Sequence, residues 1–119
     1  MPTRNFVAHL VGNRSVLVTW TGLLGSPTDD GAPFEAADFD SETFQVTGTF
    51  GTGGSITMQG SNDGTAWVTL TDEANAALTF TAAGGDRAVQ NFRFVRPIVT
   101  AGDGTTSLVA TALLLGPRR

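Results

Sequence analysis

The chain has 119 residues, a formal net charge of −4, no cysteine, and seven basic residues that are all arginine. This length predicts one domain, residues 1–119, around a single core. The missing cysteines exclude disulfides, zinc–thiolate sites and thiol catalysis, and an acidic, lysine-free chain lacks the basic patch that nucleic-acid binding needs.

No apolar run is long enough to span a membrane. Met1–Asn5 opens without the apolar core of a signal peptide, so the expectation is a protein folded in a reducing cytoplasm. Thr, Val, Phe and Gly dominate, and turn signals recur at short intervals, which predicts an antiparallel β-sandwich or barrel. Phe6–Val11 reads as the first strand, closed by Gly12-Asn13. Ser15–Trp20 alternates Val16, Val18 and Trp20 against Leu17 and Thr19. Thr21 to about Ser41 is the longest irregular stretch, rich in Gly, Pro and Asp, with a short strand near Pro33–Ala36.

Thr43–Phe50 places Phe44, Val46, Gly48 and Phe50 on one face, the pattern of a half-buried antiparallel strand. Gly51-Thr52-Gly53-Gly54 is read as a hairpin turn into Ser55–Gln59. It lacks the Gly-Lys-Ser/Thr ending and following helix of a phosphate loop. Next comes Gly60-Ser61-Asn62-Asp63-Gly64-Thr65-Ala66-Trp67, where Asp-Gly between β-type runs is a strong hairpin signal. A three-residue loop, Asn62-Asp63-Gly64, pairs Met58 with Val68 and Ile56 with Leu70, and keeps apolar residues on one face. Trp67 then falls on the other face, beside Gln59 and Thr69.

Ala77–Thr81 is predicted as a strand with Leu78 and Phe80 inward, and Ala82–Asp86 as a loop. Ala88–Thr100 reads as a long strand with Phe92, Phe94 and Ile98 on one side. Pro97 cannot donate to a ladder, so the strand is expected to lie at an edge or to bulge there. A second Asp-Gly turn, Ala101–Gly104, leads to Thr105–Leu115, read as a central strand covered on both faces.

The sequence offers little for catalysis, and the expectation is a protein that is not an enzyme. His9 is the only histidine, and its spacing from Ser15 and Asp38 does not make a triad. One histidine without cysteine is a poor transition-metal set. Asp29, Asp30, Asp38 and Asp40 could suit calcium, but they lack EF-hand spacing and read rather as solvated turn residues. No cofactor or metal is expected. Trp20 and Trp67 could form a sugar-stacking platform or serve as core or interface residues. Arg93 and Arg96 fall on opposite faces of their strand, so one should reach towards the interior or a subunit contact. The missing lysines bear on assembly too, because lysine commonly guards sheet edges; these edges must be guarded otherwise or covered by a partner.

Three segments together carry a family resemblance. They are Phe44-Gln-Val-Thr-Gly-Thr-Phe, then Gly60-Ser-Asn-Asp-Gly-Thr-Ala-Trp, then Val95-Arg-Pro-Ile-Val-Thr-Ala-Gly-Asp-Gly-Thr. With them the chain resembles the small β-sandwich decoration, or cement-like, virion proteins of tailed bacteriophages, from about Val16 to Leu115. Discoidin-like carbohydrate-binding domains share the Ser-Asn-Asp-Gly…Trp hairpin. The virion resemblance implies a jelly-roll-like fold of about eight strands. It implies synthesis in the host bacterial cytoplasm and a place on the outer capsid. There the chain, often a trimer, would bind the major capsid protein and bridge capsomers. It brings no catalytic residues. Trp67, Arg93, Arg96, Asp29, Asp30 and Phe34 are the candidate interface residues. A head–tail connector or tail component and a carbohydrate-binding module remain alternative readings.

Overall fold

Runs in which every second residue is apolar build two sheets that close on each other. The computed structural model describes residues 3–12 and 14–116; Asn13 and the termini lie outside them. Twelve strands form among the described residues: β1 (Thr3–Arg4), β2 (Phe6–Gly12), β3 (Ser15–Leu24), β4 (Asp30–Gly31), β5 (Phe34–Glu35), β6 (Ser41–Thr49), β7 (Ser55–Ser61), β8 (Val68–Thr69), β9 (Thr79–Phe80), β10 (Gly84–Ala88), β11 (Phe94–Ala101) and β12 (Ser107–Leu115). The count exceeds the expected eight because β1, β4, β5, β8 and β9 are two-residue pairings. One sheet has the order β10-β6-β12-β3-β2. The other runs β1-β4-β11-β7-β8, with β5 also on β11 and β9 also on β7. All pairings except β1–β4 are antiparallel. The chain crosses repeatedly from one sheet to the other, which makes this an all-β sandwich of jelly-roll type.

The core lies between the inner faces. Val16, Val18 and Trp20 of β3, Phe44 and Val46 of β6, and Leu108, Ala110, Ala112 and Leu114 of β12 meet Ile56 and Met58 of β7 and Val95 and Val99 of β11. Strand β3 runs past the predicted end at Trp20. Its register with β12 shifts there: Ala110 faces Trp20 while Leu108 faces Leu23. Gly22, at φ +66°, lies in this bulge and returns Leu23 to the core. An extra residue resets the alternation in this way, and glycine takes the left-handed backbone at little cost.

Several predicted connections differ. Gly51–Gly54 is not a hairpin turn, because β6 and β7 belong to different sheets; it is an arch over one end of the sandwich, and so is the Asp-Gly turn between β11 and β12. The two arches are tied together by Asp103. Its Oδ2 accepts the Thr52 N–H at 2.9 Å and its Oδ1 accepts the Thr105 N–H at 2.8 Å. These donors, the Thr105 hydroxyl first, hold its carboxyl far below the usual range. Part of the predicted Ala82–Asp86 loop is strand β10, whose Asp86 faces Phe44 of β6.

The β7–β8 hairpin keeps the predicted faces but in a longer register, with Gln59 opposite Thr69 and Gly60 opposite Val68. Val68 is exposed, and Leu70 takes the core position beside Met58, to whose carbonyl its N–H donates. Strand β11 is shorter than predicted. Val95, Pro97 and Val99 are buried, while Phe94 and Ile98 lie outside. Nor is β11 an edge. Pro97 is tolerated because alternate residues send their N–H groups towards β4 and β5, as Val99 does to Asp29 O. Pro97 falls in the gap between those two short partners, between Val95↔Phe34 and Ile98↔Asp30. Strand β12 is central, as predicted, yet only one of its faces is fully buried; Val109, Thr111 and Leu113 are half-buried.

Where β4 crosses the core the packing is tight. A Cβ at Gly31 would lie 2.6 Å from both Pro97 Cδ and Trp20 Cδ1, two rigid rings. Gly31→Ala is therefore expected to cost about 1–3 kcal/mol by overpacking, read as a lower urea midpoint.

Candidate functional site

The outer face of the β11 sheet gathers most of the candidate residues. Its geometry begins with the loop after β7. The Ser61 hydroxyl accepts the Gly64 N–H at 2.9 Å and donates to Asp63 Oδ1 at 2.9 Å. Asp63 Oδ1 also accepts the N–H groups of Thr65 and Ala66, at 2.8 and 2.9 Å. Donation by Ala66 and Thr65, then by the Ser61 hydroxyl, holds the Asp63 carboxyl below its ordinary range. Gly64, at φ +79°, takes the left-handed conformation that the Asp-Gly signal predicts. This self-satisfied loop delivers Trp67 onto the outer face.

There Trp67 meets Arg96 of β11. The guanidinium carbon lies 4.1 Å from the indole centroid, a cation–π stack. Arg96 Nε donates to Gln59 Oε1 at 3.0 Å, and Nη1 donates to Asp30 Oδ2 at 3.2 Å. Thr3 Oγ1 donates to the other oxygen of Asp30 at 2.7 Å. The Arg96 side chain is only 18% exposed. Burial lowers its pKa and the charge of Asp30 opposes that shift. The result is a fixed strip, Trp67–Arg96–Asp30, braced by Gln59 and Thr3. Beside it, Arg93 donates to Glu35 Oε2 at 2.9 Å and lies over the Phe94 ring, 4.8 Å from its centroid.

Two candidates sit elsewhere. Asp29 is fully buried; its Oδ2 accepts Arg4 Nε and the Leu24 N–H, both at 2.8 Å. Phe34 is half-buried in an aromatic group, edge-on to Phe6 at 5.2 Å and tilted against Phe39 at 6.3 Å. Trp20 cannot stack on a sugar, being fully buried with its indole N–H donating to Ala32 O at 2.9 Å. Arg93 precedes β11 rather than sharing it, so the expected split of the two arginines over opposite faces does not arise.

Sequence reasoning missed Gln59 and Glu35 as braces, and it missed Glu42. Glu42 is fully buried on the core face of β6, and neither carboxyl oxygen has a hydrogen-bond partner. The signal was its parity with Phe44 and Val46. Among the described residues, no group of three or more His, Cys, Asp or Glu is placed to hold a metal ion. His9 is exposed on β2, opposite Leu17. The outer-face strip offers a rigid aromatic, a clamped guanidinium and paired carboxylates, which is chemistry for adhesion.

Neither a family model nor a curated protein matches the chain. Solved structures do share its fold. The SPBc2 prophage-derived protein YomS is 12% identical, with a TM-score of 0.64 over 91% of this chain and all of that one. A cupin domain from Bordetella pertussis Tohama I is 10% identical, with a TM-score of 0.53 over 98% of this chain and 96% of that one. At these identities the likeness establishes the fold, a jelly-roll-type sandwich.

Proposed function

We propose that this chain is a structural protein of a tailed-phage virion, a decoration protein that binds the outside of the major capsid shell and bridges its capsomers. The observation that carries the reading is the end-to-end match of the fold to a prophage-derived protein, covering 91% of this chain and 100% of that one. It agrees with the three-segment resemblance in the sequence. The chain is made in the host cytoplasm and joins the particle there, and its work is mechanical. The Trp67–Arg96 strip is the shell contact. Aromatic and arginine side chains dominate binding energies at protein interfaces, and here Arg96 is pre-ordered by Gln59 and Asp30 and Trp67 stacks on it, which lowers the entropy lost on docking. Repetition over a symmetric shell adds avidity to each contact.

Co-sedimentation with purified, undecorated capsid shells tests this. The protein is expected to pellet with shells, and Trp67→Ala is expected to weaken binding about tenfold or more while the fold is retained. Failure to pellet with shells, or capture on a glycan array that Trp67→Ala abolishes, would overturn it.

A further inference from the structure

Among the described residues the outermost strand of the five-stranded sheet has no neighbour on one side. Among those residues strand β2 pairs only with β3, and six of its seven residues are exposed. Three of them are large and apolar: Val7 is 67% exposed, Leu10 76% and Val11 52%. A long uncharged edge strand is a template for another strand, and soluble proteins usually block such edges with lysine, proline or a bulge. None of Phe6–Gly12 is charged or proline. The one protective device, a bulge, lies at the hairpin end between Leu10 and Gly12 and leaves Phe6–Leu10 a regular ladder.

That stretch is self-complementary. Laid antiparallel on a copy of itself about Ala8, it sets Phe6 against Leu10, Val7 against His9, and Ala8 against Ala8. Cross-strand aromatic–aliphatic pairs are favourable, and no carboxylate or ammonium faces its like. Phe6, Ala8 and Leu10 lie opposite Trp20, Val18 and Val16, so all three share the core-facing side of the sheet. Leu10 extends that apolar side past the cover of the second sheet, and in the pair it is capped by the partner's Phe6. Strand β10, the opposite edge of this sheet, carries Asp86 and Arg87 and has no such symmetry.

We infer that β2 is a homodimer contact, joining two copies of this chain edge to edge into one continuous ten-stranded sheet across a two-fold axis at Ala8. An isologous contact closes with two copies, so it gives a dimer in place of the trimer that the family resemblance implies. The inference does not depend on the proposed function, because it concerns the free protein in solution.

The chain contains no cysteine, so single-cysteine variants report the geometry without background. Under mild oxidation Ala8→Cys is expected to cross-link into a covalent dimer. Leu10→Cys, whose copies would lie about 14 Å apart, should stay largely uncross-linked. Sedimentation should show a dimer that Leu10→Lys weakens at least 100-fold, with an unchanged circular dichroism spectrum. A monomer at 100 µM (about the upper end of working concentrations, where standard-size interfaces saturate) would overturn the inference. So would a multimer in which Ala8→Cys cross-links no faster than Leu10→Cys.

Discussion

Glu42→Leu is expected to stabilise the protein, and by clearly more at pH 8 than at pH 5. Glu42 projects from β6 into the core, where its register partners on the two flanking strands are Ala88 and Leu114. No donor reaches either carboxyl oxygen. Burial alone pushes its pKa up from 4.5 to about 7. Below pH 4.5 the group is neutral both folded and unfolded, and it makes no pH-dependent contribution. Between pH 4.5 and 7 the unfolded chain releases the proton while the folded chain keeps it, so stability falls as pH rises. Above pH 7 both states are ionised and the loss levels off at about 3 kcal/mol. Leucine removes the titration and fills similar space with apolar atoms. Urea unfolding at the two pH values should show a gain for the variant that is about 2–3 kcal/mol larger at pH 8. Equal gains at both would show that Glu42 finds a partner or water in the folded state.

Arg4→Ala is expected to cost about 3 kcal/mol, far more than a surface arginine usually contributes. Its partner, Asp29, is fully buried and already has one oxygen without a hydrogen bond. Losing Arg4 leaves a buried carboxylate supported only by the Leu24 N–H. The turn it braces is closed in the other direction by Asp29 N–H donating to Leu24 O at 3.0 Å. Removing both charges in Arg4→Ala/Asp29→Ala should cost clearly less than the sum of the single losses, since no unpaired charge then remains. Chemical unfolding of the three variants measures this directly, and additive losses would argue against a coupled pair.

Glu42 and Arg96 together explain what could be read from the sequence and what could not. Strict alternation at Phe44–Val46 and Val16–Trp20 gave strand and face correctly, because those stretches are regular and flanked by strands on both sides. On β11 the alternation separated Phe94 and Ile98 from Val95 and Val99 but left open which set faces inward, because both sets are apolar; Arg96, which shares the parity of Phe94 and Ile98, marks theirs as the outer side. At Glu42 a charge marks nothing, since it lies on the core side. Gly22 hid the last turnings of β3, because a bulge breaks period two at the point where a strand seems to end. Arches and hairpins use the same glycine-rich turn chemistry, so Gly51–Gly54 and Ala101–Gly104 carry no local sign of which sheet follows. The Trp67 side of the site was legible from the parity of the β7–β8 hairpin. Its Asp30 brace came from β4, a pairing too short to leave a pattern.

Electron cryomicroscopy of the parent particle tests the central claim most directly. The account predicts many symmetry-related copies of this sandwich on the outside of the head, each with the Trp67–Arg96 face against the shell. Heads whose outer surface carries none of it, or particles that hold it only at the portal vertex or along the tail, would contradict the account.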